Sequence, residues 1–216
     1  MNICGIDEAG RGCIIGPLVI SGVTANLKEL AQIEKSDVKD SKLLSPARRE
    51  ELYEFLQKFT YEVLIVPPKE IDKYVLSETG ENLNWLEAEK SVEIINRLKP
   101  DKVILDCPSP NLKAYKKYVA ERLLNLDIDI VVEHKADLNN KIVGAASIIA
   151  KVIRDREIEK IRQHVGINFG SGYPSDPLTS AFLQKNWDKH PEIFRHSWAP
   201  YQALVKKKMQ KRLGEY

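Results

Sequence analysis

Short apolar runs that stop at acidic residues, separated by amphipathic stretches, constrain this chain more than any other feature. Residues 2–7 form one such run, closed by Asp7-Glu8, and residues 102–106 form another, closed by Asp106. Strands of this length alternating with helical periodicity build a sheet covered by helices. Residues 13–25 read as a second strand, bent at Gly16-Pro17 and Gly22. Residues 61–66 and 128–133 read as two more. Ser45-Pro46 opens a helix that reaches Phe59, with serine as N-cap and proline in the first turn. Residues 83–99, 111–125 and 140 to about 163 follow as helices. The expected class is α/β, with one mixed sheet flanked by helices.

After Gly166 the pattern changes. Residues 170–177, Gly-Ser-Gly-Tyr-Pro-Ser-Asp-Pro, form a loop by their turn residues. Short helices are expected near residues 178–187, 191–195 and 200–213. The expected organisation is a sheet domain over residues 1–166 and a C-terminal helical extension over 167–216. A length of 216 residues suits one domain with such an extension.

Composition removes several function classes. No apolar run approaches the roughly 20 residues of a membrane-spanning helix, so no membrane partner is expected. The opening residues carry no basic region followed by an apolar core, so no secretory leader is expected. Three cysteines, Cys4, Cys13 and Cys107, are an odd number without a C-x-x-C pair. They suit neither a disulfide framework nor a cysteine zinc site, and a reducing, cytoplasmic setting is the default. The net charge of +2 does not by itself imply a nucleic-acid ligand. Residues 206–212, Lys-Lys-Lys-Met-Gln-Lys-Arg, form either a solvated helix end or a phosphate-facing surface.

The positions of the acids carry the chemistry. Asp7-Glu8 ends the first strand, Asp106 ends the fourth and Asp137 lies just past the fifth. If these strands are parallel, the acids converge at the edge where open α/β sheets bind ligands. Asp101, Asp127 and Asp129 sit at strand starts and belong to the opposite edge. Neighbouring strand residues face opposite sides. Asp7 and Glu8 therefore share a site only if the strand breaks there, a break that Gly10-Arg11-Gly12 would supply. Clustered carboxylates do not all stay ionised unaided, and a hard divalent cation with oxygen ligands relieves them. Two ions about 4 Å apart stabilise the attacking and leaving oxygens in phosphodiester cleavage. The ordinary alternative is that each acid is solvated or caps a helix.

In this setting the chain resembles the type 2 ribonucleases H, the ribonuclease HII family. Asp7-Glu8-Ala9-Gly10-Arg11-Gly12 with Gly16-Pro17-Leu18-Val19 is similar to the family's opening motif. Asp40-Ser41-Lys42-x-Leu44-Ser45, Leu105-Asp106 and His134-Lys135-Ala136-Asp137 resemble the motifs that follow. So do residues 145–155, then Gly170-Ser171-Gly172-Tyr173-Pro174-Ser175-Asp176 and Arg195-x-Ser197-Trp198. The series runs in order over nearly the whole chain and looks most like the single-chain archaeal members. Two departures stand out: Cys13 takes a place where the family often has proline, and Leu43 follows Lys42 where a second basic residue can stand.

The resemblance implies an RNase H-like fold with a C-terminal helical segment. It implies metal-dependent hydrolysis of the phosphodiester 5′ to a ribonucleotide, in RNA–DNA hybrids or in DNA duplexes with embedded ribonucleotides. The products would carry a 3′-hydroxyl and a 5′-phosphate. Asp7, Glu8, Asp106 and Asp137 match the family's catalytic, metal-binding carboxylates, for two Mg²⁺ or Mn²⁺ ions. Gly10, Arg11 and Gly12 match the loop whose backbone contacts the 2′-hydroxyl. Tyr173 matches the tyrosine that hydrogen-bonds near that hydroxyl and stacks on the adjoining sugar. Physical chemistry agrees: the 2′-hydroxyl alone separates RNA from DNA locally, and glycines permit close approach.

Lys42 is a natural phosphate contact in a polar loop, or a solvated lysine. Ser147, Lys151 and Arg154 share one stripe of the long helix and suit phosphate contact, although Lys151 and Asp155 also suit a surface pair. His134 is expected to be structural, and Trp187 and Trp198 to pack the extension. Gln210, Leu213 and Tyr216 resemble the short peptide that docks on sliding clamps. A monomer is expected. Competing readings are an actin-like phosphotransferase, which lacks a second phosphate loop here, a non-catalytic nucleic-acid binder, and another two-metal nuclease such as a junction resolvase. Acids repel phosphate unless metals neutralise them, which argues for catalysis over simple binding.

Overall fold

The computed structural model describes residues 1–38 and 44–213, except for the side chains of 211–213. Lys42, the Leu213 side chain and Tyr216 lie outside the described residues. In chain order the elements are β1 (Asn2–Ala9), β2 (Leu18–Asn26), α1 (Leu27–Lys35), α2 (Pro46–Leu56), β3 (Thr60–Val66), α3 (Pro68–Val75), α4 (Leu83–Leu98), β4 (Lys102–Asp106), α5 (Leu112–Ala120), β5 (Asp129–Glu133), α6 (Ala136–Asn139), α7 (Lys141–Val165) and α8 (Pro177–Asn186), then a 3₁₀ turn (Pro191–Ile193) and α9 (Ala199–Leu213). Two compact units result. The first holds Met1–Ala9, Val19–Ile65 and Leu83–Ile153; the second holds Gly10–Leu18, Val66–Asn82 and Arg154–Tyr216.

The first unit is built on a five-stranded sheet of order β3-β2-β1-β4-β5. β1 is antiparallel to β2, with Asp7 opposite Ser21. It is parallel to β4, with Ile6 opposite Leu105, and β4 is parallel to β5. The parallel arrangement on which convergence of the acids depended is therefore present. Ile3, Val23 and Ile104 meet Ile33 of α1, Leu52 and Leu56 of α2, and α7. The α7 stripe Ile142, Ala145, Ala146, Ile149 and Val152 repeats every three or four residues, as a core-facing helix requires. Each fully buried aliphatic side chain stabilises the fold by about 1.5–3 kcal/mol. Gly5 is required in β1, because a Cβ there would lie 2.5 Å from the Ile142 main chain. On the other side of the sheet, α4 brings Ile94 against Gly22, and α4 and α5 bury Leu86, Ile95, Tyr115 and Val119.

Several boundaries differ from expectation. The second strand begins at Leu18, because Gly16 has φ +86° and leaves the extended region. Helix α1 was not expected, although its capping box is visible in sequence. Asn26 accepts the N–H groups of Lys28 and Glu29, and the Glu29 carboxylate accepts the Asn26 N–H. Helix α3 was also missed, because Pro67-Pro68 reads equally as a strand stop and a helix start. The helix expected over 111–125 ends at Ala120. There the Leu124 N–H turns to the Asn96 side chain at 3.0 Å, and Leu124 and Leu126 are exposed.

The second unit has its own core, in which Ile14, Ile158, Phe169, Phe182, Phe194 and Tyr201 take part. Trp187 and Trp198 pack against it, as expected. Ile15 forms an antiparallel bridge with Phe194. Asp72 of α3 accepts the N–H of His196 at 2.8 Å, the N–H of Ser197 at 2.9 Å and the Ser197 hydroxyl at 2.5 Å. That carboxylate ties α3 to the segment entering α9. Among the described residues, no helix is long and apolar enough to cross a membrane.

Candidate metal centre

Asp7 and Asp106 each follow the last register pair of β1 and β4, Ile6 with Leu105. Parallel pairing puts the two carboxylates side by side at the carboxyl ends of their strands. Asp7, Glu8 and Asp106 each offer a carboxylate oxygen, and these oxygens lie within 4.8 Å of one another. The strand does not break to admit Glu8, since β1 continues through Ala9. β4 stops at Asp106, so no β4 residue stands beside Glu8, and its longer side chain reaches the cluster from within the strand.

Asp7 is 6% exposed. Its Oδ1 accepts the Glu8 N–H at 2.8 Å. Burial holds the Asp7 carboxyl well above the usual carboxylate range, and the charges of Glu8 and Asp106 push it further; a hydrogen bond from Ser147 pulls it back. Asp106 Oδ1 accepts the N–H of Ala136 at 2.8 Å. Lys135 enters α6 with φ +56°, and Asp137, buried on α6, is not among the three clustered acids. His134 Nδ1 meets the Cys107 carbonyl at 3.0 Å. Three carboxylates this close, one of them buried, are an all-oxygen donor set that suits a hard divalent cation.

The helix residues expected at phosphate sit deeper. Ser147 is fully buried; its hydroxyl hydrogen-bonds Asp7 and accepts Lys151 Nζ at 3.2 Å. Sequence reasoning missed this link, because helix spacing shows which residues share a stripe but not what the stripe faces. Arg154 is 6% exposed, with Nη2 donating to Cys13 Sγ at 2.9 Å and to the Ser171 carbonyl at 2.5 Å.

In the second unit, Gly10 has φ +86°, and the Gly12 backbone faces the Tyr173 ring, so that a Cβ on Gly12 would lie 3.7 Å from the ring edge. Tyr173 shares a hydrogen bond with Cys13 and has the Arg154 guanidinium 5.1 Å from its ring centre. Burial pushes the Tyr173 phenol up to about 12 and raises the Cys13 thiol. All three cysteines are free and buried. Gln210 is exposed on α9, while its expected companions Leu213 and Tyr216 fall outside what is described of side chains.

A mixed sheet with helices on both sides and an oxygen-donor cluster at the ends of its parallel strands is an RNase H-like architecture carrying a candidate divalent-metal centre. The family model described as Ribonuclease HII matches residues 4–201, and the chain belongs to that family. The family's activity is endonucleolytic cleavage of RNA in RNA–DNA hybrids. The chain is similar to a Ribonuclease HII of Pyrococcus horikoshii, 44% identical over 205 residues, which cover 92% of this chain and 90% of that one. It is similar in structure to the ribonuclease H2 of Pyrococcus horikoshii OT3, with a TM-score of 0.87 and 42% identity over 96% of this chain and 98% of the other. A chain from a PCNA:RNase HII complex of Archaeoglobus fulgidus matches with a TM-score of 0.80 and 41% identity, covering 92% and 95%.

Proposed function

We propose that this chain hydrolyses the phosphodiester 5′ to a ribonucleotide, in RNA–DNA hybrids and in DNA duplexes with embedded ribonucleotides, leaving a 3′-hydroxyl and a 5′-phosphate. The observation that carries this reading is the cluster of Asp7, Glu8 and Asp106. Asp7, Glu8, Asp106 and Asp137 would hold two Mg²⁺ or Mn²⁺ ions. When bound, such ions stabilise charge on the attacking and leaving oxygens of a phosphodiester. Ser147 orients Asp7 through its hydroxyl, and Lys151 backs Ser147. The backbone of Gly10, Arg11 and Gly12 meets the 2′-hydroxyl, and Tyr173 packs on the adjoining sugar. Lys42 and Arg154 contribute positive charge toward phosphate. The chain acts as a monomer in the cytoplasm.

A sliding clamp is the proposed protein partner, through Gln210, Leu213 and Tyr216. The pattern of these residues supports it, as does the Archaeoglobus fulgidus relative, whose structure is of a complex with PCNA. The first test is cleavage of a labelled DNA duplex holding one ribonucleotide, with Mg²⁺, with Mn²⁺ and with EDTA, beside an all-DNA duplex. Cutting 5′ to the ribonucleotide alone, and only with metal, is expected. Cutting of both duplexes would remove the 2′-hydroxyl from the scheme.

A further inference from the structure

Arg195 is fully buried, and by volume it heads the fully buried side chains among the described residues. Its guanidinium grips one loop. Nε donates to the Gly16 carbonyl at 3.1 Å, Nη1 to the Arg11 carbonyl at 2.9 Å and Nη2 to the Gly10 carbonyl at 2.7 Å. The Arg195 main-chain N–H donates to the Ile14 carbonyl at 2.9 Å. The Trp198 ring centre lies 4.8 Å from the guanidinium carbon. Burying a guanidinium is costly, and these three bonds all go to neutral carbonyls of the Gly10–Gly16 stretch.

Peptide geometry gives this grip a direction. The chain has no cis peptide bond among its described residues. In a trans peptide the C=O and the next N–H point opposite ways. Holding the Gly10 carbonyl therefore turns the Arg11 N–H away from Arg195, and holding the Arg11 carbonyl does the same for the Gly12 N–H. A charged donor on each carbonyl also polarises its amide, which strengthens the N–H at the other end. A planar fork of donors spans three carbonyls at once; an ammonium does not.

We propose that Arg195 is a positioning residue for ribonucleotide recognition. By fixing the Gly10 and Arg11 carbonyls, it presents the Arg11 and Gly12 N–H groups as donors to the substrate 2′-hydroxyl. This rests on the reading above that the loop's backbone meets that hydroxyl.

The test uses Arg195→Lys and Arg195→Gln in an Asp7→Asn background, with binding measured to duplexes that differ by one ribonucleotide. With Arg195 present, the ribonucleotide duplex binds tighter than all-DNA duplex. Both variants are expected to lose about tenfold or more of that preference, roughly one positioned hydrogen bond, while all-DNA binding stays unchanged. Folded variants that keep the full preference overturn the proposal. Absence of any preference with Arg195 present would instead overturn the 2′-hydroxyl reading beneath it.

If both variants fail to fold, NMR of the intact protein decides. The proposal expects through-hydrogen-bond couplings from the Arg195 side chain to the Gly10 and Arg11 carbonyl carbons. It also expects Arg11 and Gly12 amide shifts on adding the ribonucleotide duplex but not the all-DNA duplex. Ribonucleotide-specific shifts without the couplings overturn the role of Arg195 alone. Equal shifts with both duplexes overturn the reading beneath it.

Discussion

Asp106 Oδ1 accepts the N–H of Ala136 at 2.8 Å, so the carboxylate that ends β4 is bound to the first residue of α6. Asp137 is the next residue along. One hydrogen bond thus links an acid of the cluster to the helix carrying the fourth candidate acid.

Asp106 and Asp137 should separate by experiment. Asp106→Ala removes a donor oxygen and leaves the Ala136 N–H unpaired. Cleavage should fall by a hundredfold or more, and stability by about 1–3 kcal/mol. Asp137→Asn should lower the rate at least tenfold and raise the metal concentration needed, with the melting temperature nearly unchanged. A Mg²⁺ titration of both variants beside thermal melts checks this, and an unchanged titration for Asp137→Asn would remove Asp137 from the ion-binding set.

Asp7→Asn should reduce cleavage by a hundredfold or more, yet stabilise the metal-free fold at neutral pH. Burial raises the Asp7 carboxyl above its unfolded value, so the folded state favours the protonated form. Its contribution to stability is therefore full at low pH and is lost as pH rises from about 4, the ordinary carboxyl value, through the higher folded value. Melting in EDTA should show wild-type protein losing stability over that rise and Asp7→Asn losing less. Adding divalent metal at pH 7 should stabilise wild type more than the variant.

Tyr173→Phe should cut turnover at a single ribonucleotide by about tenfold, near the worth of one hydrogen bond to the sugar. Burial holds the phenol near 12, so Tyr173 stays protonated through the ordinary working range. The pH–rate profiles of wild type and variant should therefore run parallel between about pH 7 and 10. Since the folded value lies above the unfolded one near 10, any stability Tyr173 contributes is full below pH 10 and lost toward 12.

Asp72→Ala should destabilise the protein by about 2 kcal/mol, because the N–H groups of His196 and Ser197 lose a charged acceptor. Chemical denaturation measures this. No loss would mean that water replaces the carboxylate without cost.

Part of this architecture was legible in the chain. Strands β4 and β5 fell within a residue of expectation, and the parallel pairing of β1, β4 and β5, on which convergence of the acids depended, came from the structure. Ser45-Pro46 marked the start of α2. The reading failed where one local signal serves two structures. Pro67-Pro68 stops β3 and starts α3. Residues 13–17 are apolar like a strand, but they pass through a positive-φ glycine and join the core of Phe169 and Phe194.

The sequence by itself determined what neighbours along the chain can decide: the periods of strands and helices, the caps, and the presence of oxygen donors at strand ends. Only the tertiary structure decided which distant groups meet. Glu8 joins Asp7 and Asp106 without a strand break, Ser147 turns its hydroxyl to Asp7, and Arg195 closes on carbonyls up to 185 residues away. The physical reason is that periodicity sets which residues share a face. Strand register and the rotation of a helix against its sheet set what that face meets, and these arise from packing across the whole fold.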